Sequence, residues 1–268
     1  MEWEREAEEY LKKIPFFVRG KVKREVEKYL SSKGHKKVTL EAFLSAKDAL
    51  LEKMSQAERG YEVTGCFGVN SCPNAISSSE MLLKKIEEIL EAEGISEFLK
   101  EKVKGPLKAH HKFKVGLSEC PNACSQIHIT DFALHGVLIP EVNPKACSFC
   151  GSCVETCEEE AITLTENGPF IDAEKCVGCG SCVKICPEDA LFEGFKGYKI
   201  YLGGKLGRHP RLATFWCLAK EEEVPLLLKK VLSFYKKYNQ KGERLGKIIE
   251  RLGWDKAKYL LQEELLRS

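Results

Sequence analysis

The stretch Leu117-Ser118-Glu119-Cys120-Pro121-Asn122-Ala123-Cys124, read with Cys66-Phe67-Gly68-Val69-Asn70-Ser71-Cys72 upstream, decides the fold. The spacings are C-x5-C and C-x3-C, and together they offer four thiolates, the number a 4Fe-4S cube needs for its corners. Ferredoxin loops take three ligands from one compact C-x2-C-x2-C run. Two pairs this far apart must come from separate loops that a folded core brings together. A four-thiolate zinc site is the competing reading, but structural zinc pairs are usually two to four residues apart and C-x5-C fits poorly. Phe113 to Leu117 alternates as a strand that runs into the Cys120 loop, and Ile127 to Leu134 reads as the next strand.

Downstream lie Cys147-x2-Cys150-x2-Cys153-x3-Cys157 and, twenty-nine positions on, Cys176-x2-Cys179-x2-Cys182-x3-Cys186-Pro187. This resembles the bacterial two-cluster ferredoxins, in which the fourth cysteine of each run ligates the other cluster. The resemblance implies one 4Fe-4S cluster on Cys147, Cys150, Cys153 and Cys186, and a second on Cys176, Cys179, Cys182 and Cys157. The repeat continues past the cysteines, since Glu159-Glu160-Ala161-Ile162 matches Glu188-Asp189-Ala190-Leu191. Glu158 stands where proline follows in the second run, which leaves the ligand set intact.

The paired spacings at Cys66/Cys72 and Cys120/Cys124 resemble the cluster-binding half of the sulfite and nitrite reductases, where a 4Fe-4S cluster is bridged to the iron of sirohaem. The resemblance implies that Cys66, Cys72, Cys120 and Cys124 hold that cluster and that Cys124 supplies the shared sulfur. Lys112-Phe113-Lys114 resembles the lysine pair that contacts the substrate anion in sulfite reductases, which casts Lys112 and Lys114 as catalytic. Sulfite is an anion that must lose three oxygens as water, so its site needs cations and proton donors. The segment Gly203-Gly204-Lys205-Leu206-Gly207-Arg208-His209-Pro210-Arg211 resembles the glycine-rich loop that follows the ferredoxin insertion in dissimilatory and anaerobic sulfite reductases. Lys205, Arg208 and Arg211, with Lys108, are then expected to pair with the sirohaem carboxylates.

Composition sets the remaining limits. The chain has 268 residues, 43% of them hydrophobic, with 42 basic and 40 acidic side chains. Near-neutrality gives no field for nucleic acid or an anionic membrane surface. No run of eighteen apolar residues occurs and the start Met1-Glu2-Trp3-Glu4-Arg5-Glu6 is acidic, so a cytoplasmic protein is expected. Thirteen cysteines without an export signal argue for metal rather than disulfides. Twelve fall into the three groups above. Cys217 stands alone and reads as a small buried apolar residue.

Residues 1–55 read as a helical unit. A first helix runs to about Lys13, Pro15 breaks the chain, and a second helix reaches about Ser32 with Val18, Val22, Val26 and Leu30 as its apolar stripe. Thr39 can cap a third helix burying Leu40, Phe43, Leu44, Leu50, Leu51 and Met54. Ile14-Pro15-Phe16-Phe17-Val18-Arg19 and the residues after it resemble the small terminal domain of one component of light-independent protochlorophyllide reductase. Ser77 and Glu80 form a plausible capping box for a helix carrying Leu82, Ile86 and Leu90, and Gly94 stops it.

The expected fold class is α+β. A sirohaem/4Fe-4S reductase half-domain (56–144 and 195–220) carries an inserted two-cluster ferredoxin domain (145–194), flanked by the N-terminal helical domain (1–55) and a C-terminal helical segment (221–268). The expected cofactors are sirohaem and three 4Fe-4S clusters, the substrate sulfite or nitrite, and the further partner an electron-donor protein. Only one reductase half is recognisable, so a homo-oligomer, at least a dimer, is expected to close the haem site. A nitrite reductase, a non-catalytic iron-sulfur electron carrier and an inactive haem-binding subunit stand as alternatives.

Overall fold

The computed structural model describes residues 1–66 and 71–266. The chain divides into two compact units, Met1–Glu58 and Arg59–Ser268.

The first unit contains β1 (Glu2–Trp3), α1 (Arg5–Lys12), α2 (Phe16–Ser32), β2 (Lys37–Val38) and α3 (Leu40–Ala57), with β1 and β2 paired in parallel. Pro15 separates the first two helices because its ring cannot continue the hydrogen-bond ladder. Thr39 Oγ1 accepts the Ala42 N–H at 3.1 Å and caps α3. Ala7, Leu11, Val26, Leu30, Val38, Phe43 and Ala46 form the core. Trp3 and Tyr10 rings pack on Phe43 at 5.8 and 5.5 Å. Leu51, expected on the buried side, is instead 52% exposed, on the wall of an open groove that α3 shares with Val18 and Val22 of α2. The Met54 side chain lies outside the described residues.

The second unit runs β3 (Tyr61–Thr64), α4 (Glu80–Ala92), α5 (Ile95–Lys102), β4 (Phe113–Ser118), β5 (Phe132–Val142), α6 (Ser152–Glu155), β6 (Ile162–Thr165), β7 (Gly168–Ile171), α7 (Ser181–Ile185), β8 (Leu191–Leu202), β9 (Thr214–Ala219), α8 (Val224–Tyr238), α9 (Leu245–Leu252) and α10 (Trp254–Leu266). Five strands form one sheet in the order β3-β4-β5-β8-β9. The first three are mutually parallel, while β8 runs antiparallel to β5 and β9 to β8. Alternation decides the faces. Phe113, Val115 and Leu117 of β4, with Phe132 and Leu134 of β5 and Tyr198, Ile200 and Leu202 of β8, are buried under α4, α5, α8 and α9. The helices expected at the C-terminus therefore belong to the same core as the sheet.

On the opposite face β4 presents Lys114, Gly116 and Ser118, the positions that can carry chemistry. The expected strand from Ile127 begins only at Phe132, because Ile127–Ile129 form a 3-10 turn held by the Thr130 hydroxyl, which donates to the Ile127 carbonyl at 2.7 Å. β5 and β8 form a long hairpin whose far end, pairing Val142 with Leu191, carries everything from Asn143 to Ala190.

Candidate iron-sulfur and anion-binding site

Because β3 and β4 are parallel neighbours with Thr64 opposite Gly116, their C-terminal ends lie side by side. Cys66 follows the first end and Cys120 the second. The Glu119 N–H donates to Cys66 Sγ at 3.2 Å, and Cys66 Sγ lies 3.5 Å from Ser118 Oγ. The loop after Cys72 is tied to the same place: the Ile76 N–H donates to the Glu119 carbonyl at 3.0 Å. Burial pushes the Cys120 thiol pKa up, and Cys66, Cys72 and Cys124 lie near enough to push it further. The fold thus sets Cys66 against the Cys120 loop, with Cys72 and Cys124 close enough to act on the Cys120 thiol.

Two residues that the sequence did not flag support this loop. Glu119 is 1% exposed, and its Oε1 accepts the Ser79 N–H at 2.9 Å and the Ser79 hydroxyl at 2.6 Å. A carboxylate thereby sits at the start of α4, where helix N–H groups favour negative charge. The expected capping box does not form: Ser79 takes the N-cap position, and the Ser77 hydroxyl lies 3.2 Å from the Tyr198 hydroxyl. Gly136 of β5 is the second. A Cβ there would sit 2.6 Å from the Glu119 carbonyl group, so glycine lets the cysteine loop lie directly on the strand.

Beyond the β5 hairpin, two small cavities are each lined by four cysteines. One has Cys147, Cys150, Cys153 and Cys186; the other has Cys157, Cys176, Cys179 and Cys182. The backbone repeats as the sequence does: Phe149 and Gly178, Gly151 and Gly180, and Glu160 and Asp189 are matched pairs with positive φ. Backbone N–H groups donate to sulfur, Phe149 to Cys147 Sγ at 3.4 Å and Ala161 to Cys157 Sγ at 3.3 Å, the kind of bond that tunes a cluster's sulfurs. Burial drives the Cys182 thiol up to about 12, with Cys179 and Cys176 adding to it. Among the described residues no three His, Cys, Asp or Glu side chains are arranged to hold a single metal ion. Each cavity is lined by four cysteines, the number of corners a 4Fe-4S cube presents.

The second cavity abuts the Cys120 loop. Where β4 ends, the segment at Cys179 takes its place along β5: Leu138 bridges to Cys179, and the Leu138 N–H donates to the Gly178 carbonyl at 2.8 Å. Ile76, Cys120 and Leu138 form one buried cluster, with Val183 packed against it.

On the chemical face of the sheet lies a cleft of about 360 Å³. Glu62 and Thr64 of β3, Lys114 of β4, His110, Ser125 and Arg244 line it. Lys114 Nζ pairs with Glu62 at 2.9 Å. Arg244 Nε binds both oxygens of the fully buried Asp131, at 2.9 and 2.7 Å, and Nη2 donates to the Gly204 carbonyl at 3.2 Å. Burial pushes the Asp131 carboxyl pKa up, opposed by Arg244 and by the N–H groups of Lys114 and Leu245. Of the other expected basic residues, Lys112 is half-buried just before β4, and Lys108 and Arg208 are exposed. Lys205 pairs with Glu250 at 3.2 Å, and Arg211 turns inward, donating to the Leu202 and Gly203 carbonyls and to Thr214 Oγ1. His135, 8% exposed, packs beside His128 and Tyr201, and burial pushes its pKa down.

The family described as the nitrite and sulphite reductase 4Fe-4S domain matches residues 58–267, and the proto-chlorophyllide reductase 57 kD subunit family matches residues 3–47. The coenzyme F420-dependent sulfite reductase of Methanocaldococcus jannaschii is 40% identical over 163 residues, which is 59% of this chain and 26% of that protein. The chain therefore spans about a quarter of that relative's length. A component of the light-independent protochlorophyllide reductase of Heliobacterium modesticaldum is 44% identical over 59 residues, 22% of this chain and 11% of that protein. Among solved structures, dissimilatory sulfite reductase I shares the fold, with a TM-score of 0.52 at 18% identity over 80% of this chain and 57% of that one. No helix among the described residues is long and apolar enough to cross a membrane.

Proposed function

The chain belongs to the nitrite and sulphite reductase 4Fe-4S domain family, and from that premise we propose that it reduces sulfite to sulfide at a sirohaem coupled to a 4Fe-4S cluster. The observation that carries this reading is the junction of β3 and β4. The same two strands end in the gathered thiols of Cys66, Cys72, Cys120 and Cys124 and present Lys114 and Glu62 to the cleft. A sirohaem held there would supply the iron at which sulfite is reduced.

The cleft is bordered by Ala109 and Gly207, so their exposed neighbours Lys108 and Arg208 would pair with the carboxylates of a sirohaem held there. Its open side is covered by a second copy of the chain, which makes the working protein at least a dimer. Lys114 holds the anion and Glu62 keeps that ammonium aimed into the cleft. His110 lines the same cleft, where protons are needed. Arg211 and Lys205 brace the loop rather than meet the ligand. The two four-cysteine cavities hold the ferredoxin-type clusters that deliver electrons one at a time.

The test is turnover. Sirohaem-loaded protein, anaerobic and supplied with reduced viologen, forms sulfide from sulfite; loaded protein that forms none rejects the reading. The matching family embraces nitrite reductases as well, so the two anions are to be compared in competition. Lys114→Gln removes one preorganised cation and lowers kcat by about 10²–10³, the usual loss for one such group, while the absorption spectrum stays unchanged. A fall in kcat below threefold contradicts the role given to Lys114.

A further inference from the structure

We propose that the electron donor is a protein with a basic face and that it docks over the cavity lined by Cys147, Cys150, Cys153 and Cys186. This rests on the reading that both four-cysteine cavities hold clusters.

The packing fixes the order of the sites. The cavity of Cys157, Cys176, Cys179 and Cys182 is the inner one, because Leu138 touches Cys179 and packs with Cys120, and Val183 joins that contact. The other cavity meets the inner one through a shared core in which Cys153 and Cys182 are both buried. Electrons therefore reach the Cys120 loop from the outer cavity by way of the inner one.

The surface around the outer cavity is the kind a protein covers. Phe149 is 50% exposed, Leu164 38% and Ile185 48%. Leu164 lines that cavity, and Phe149 and Ile185 adjoin cysteines that do, so apolar side chains at its edge face solvent. The segment that carries both cavities is acidic. Residues 145–190 carry nine carboxylates and three lysines, in a chain whose net charge is +2. Glu155 ends the short helix bearing Cys153, Glu166 tips the β6–β7 hairpin, and both are exposed. An apolar contact ringed by carboxylates suits a partner whose own apolar contact is ringed by lysine or arginine. In each encounter the donor's reduced centre loses one electron and the outer cluster gains it, with no bond made or broken.

Docking is measurable without sulfite. The cluster-loaded protein is reduced and mixed with ferricytochrome c, a basic one-electron probe whose reduction is followed optically, and separately with benzoquinone, a small neutral acceptor. We expect the cytochrome rate to fall at least tenfold as salt rises from low to high ionic strength, and a similar loss at low salt in Glu155→Lys/Glu166→Lys. Ile185→Ser lowers it severalfold. The benzoquinone rate stays the same throughout. A cytochrome rate indifferent to salt and to charge reversal, with iron content intact, overturns the proposal alone. So does equal slowing with benzoquinone, which reports damaged clusters, and so does salt-sensitive self-association that blocks the probe, which assigns the surface to a second copy. Protein that takes up no iron at these cavities overturns the proposal together with the reading it rests on.

Discussion

Cys124→Ser abolishes sulfide formation, lowering it by more than about 100-fold, while Cys217→Ser leaves it intact. Both are single sulfur-to-oxygen exchanges, so the contrast isolates position. Loss of even an outer-shell partner typically costs a metal site 10–100-fold, and loss of a ligand costs more. Cys124 is exposed and belongs to the thiols gathered with Cys120, whereas the Cys217 thiol is pushed up to about 11 by burial on β9, away from every cysteine group. Iron analysis of Cys124→Ser is expected to show a deficit of up to roughly four atoms, one cube. Equal activity in the two variants sinks the assignment of Cys124.

Arg244→Met destabilises the second unit by about 3–5 kcal/mol, because removing one partner of a buried ion pair leaves an uncompensated charge. Asp131 has 0% exposure and, among the described residues, keeps the N–H groups of Lys114, at 2.7 Å, and Leu245, at 3.1 Å. Melting is expected to fall by roughly 10 °C. The pH dependence has a defined sign. In the variant the desolvated Asp131 carboxyl has a folded pKa above its unfolded value, so the folded form binds the extra proton, and its contribution is present at low pH and lost as pH rises. The deficit relative to the parent is therefore smaller at pH 5 than at pH 7, and Asp131→Asn added to Arg244→Met recovers part of it. A loss under about 1 kcal/mol, independent of pH, contradicts this picture of the pair.

The cysteine groups are legible in the sequence because cube ligands in compact loops are spaced along the chain. The pairing of Cys186 with the first run is implied by the resemblance to two-cluster ferredoxins, and the cavities are lined accordingly. Lys114 is legible because strand alternation fixes its face. What escaped depends on contacts across the fold. Asp131 and Arg244 are 113 positions apart and meet only when α9 docks under the β4–β5 loop. Glu119 looked like part of a cysteine loop, yet it caps α4 through Ser79. Arg211 and Lys205 read as ligands for an outside anion, but the carbonyls and the carboxylate that take them up lie on neighbouring segments. Leu138 gave no signal at all, since a strand leucine is ordinarily core; only the end of β4 at Ser118 exposes its backbone N–H to the Cys179 segment.

The central claim is that Cys66, Cys72, Cys120 and Cys124 hold a cube joined to sirohaem. Iron and tetrapyrrole content of the anaerobically isolated protein tests it most directly. The account predicts roughly twelve cluster irons per chain with one sirohaem, whose visible bands shift on adding sulfite. Roughly eight irons with no tetrapyrrole, or zinc in place of one set, contradicts it.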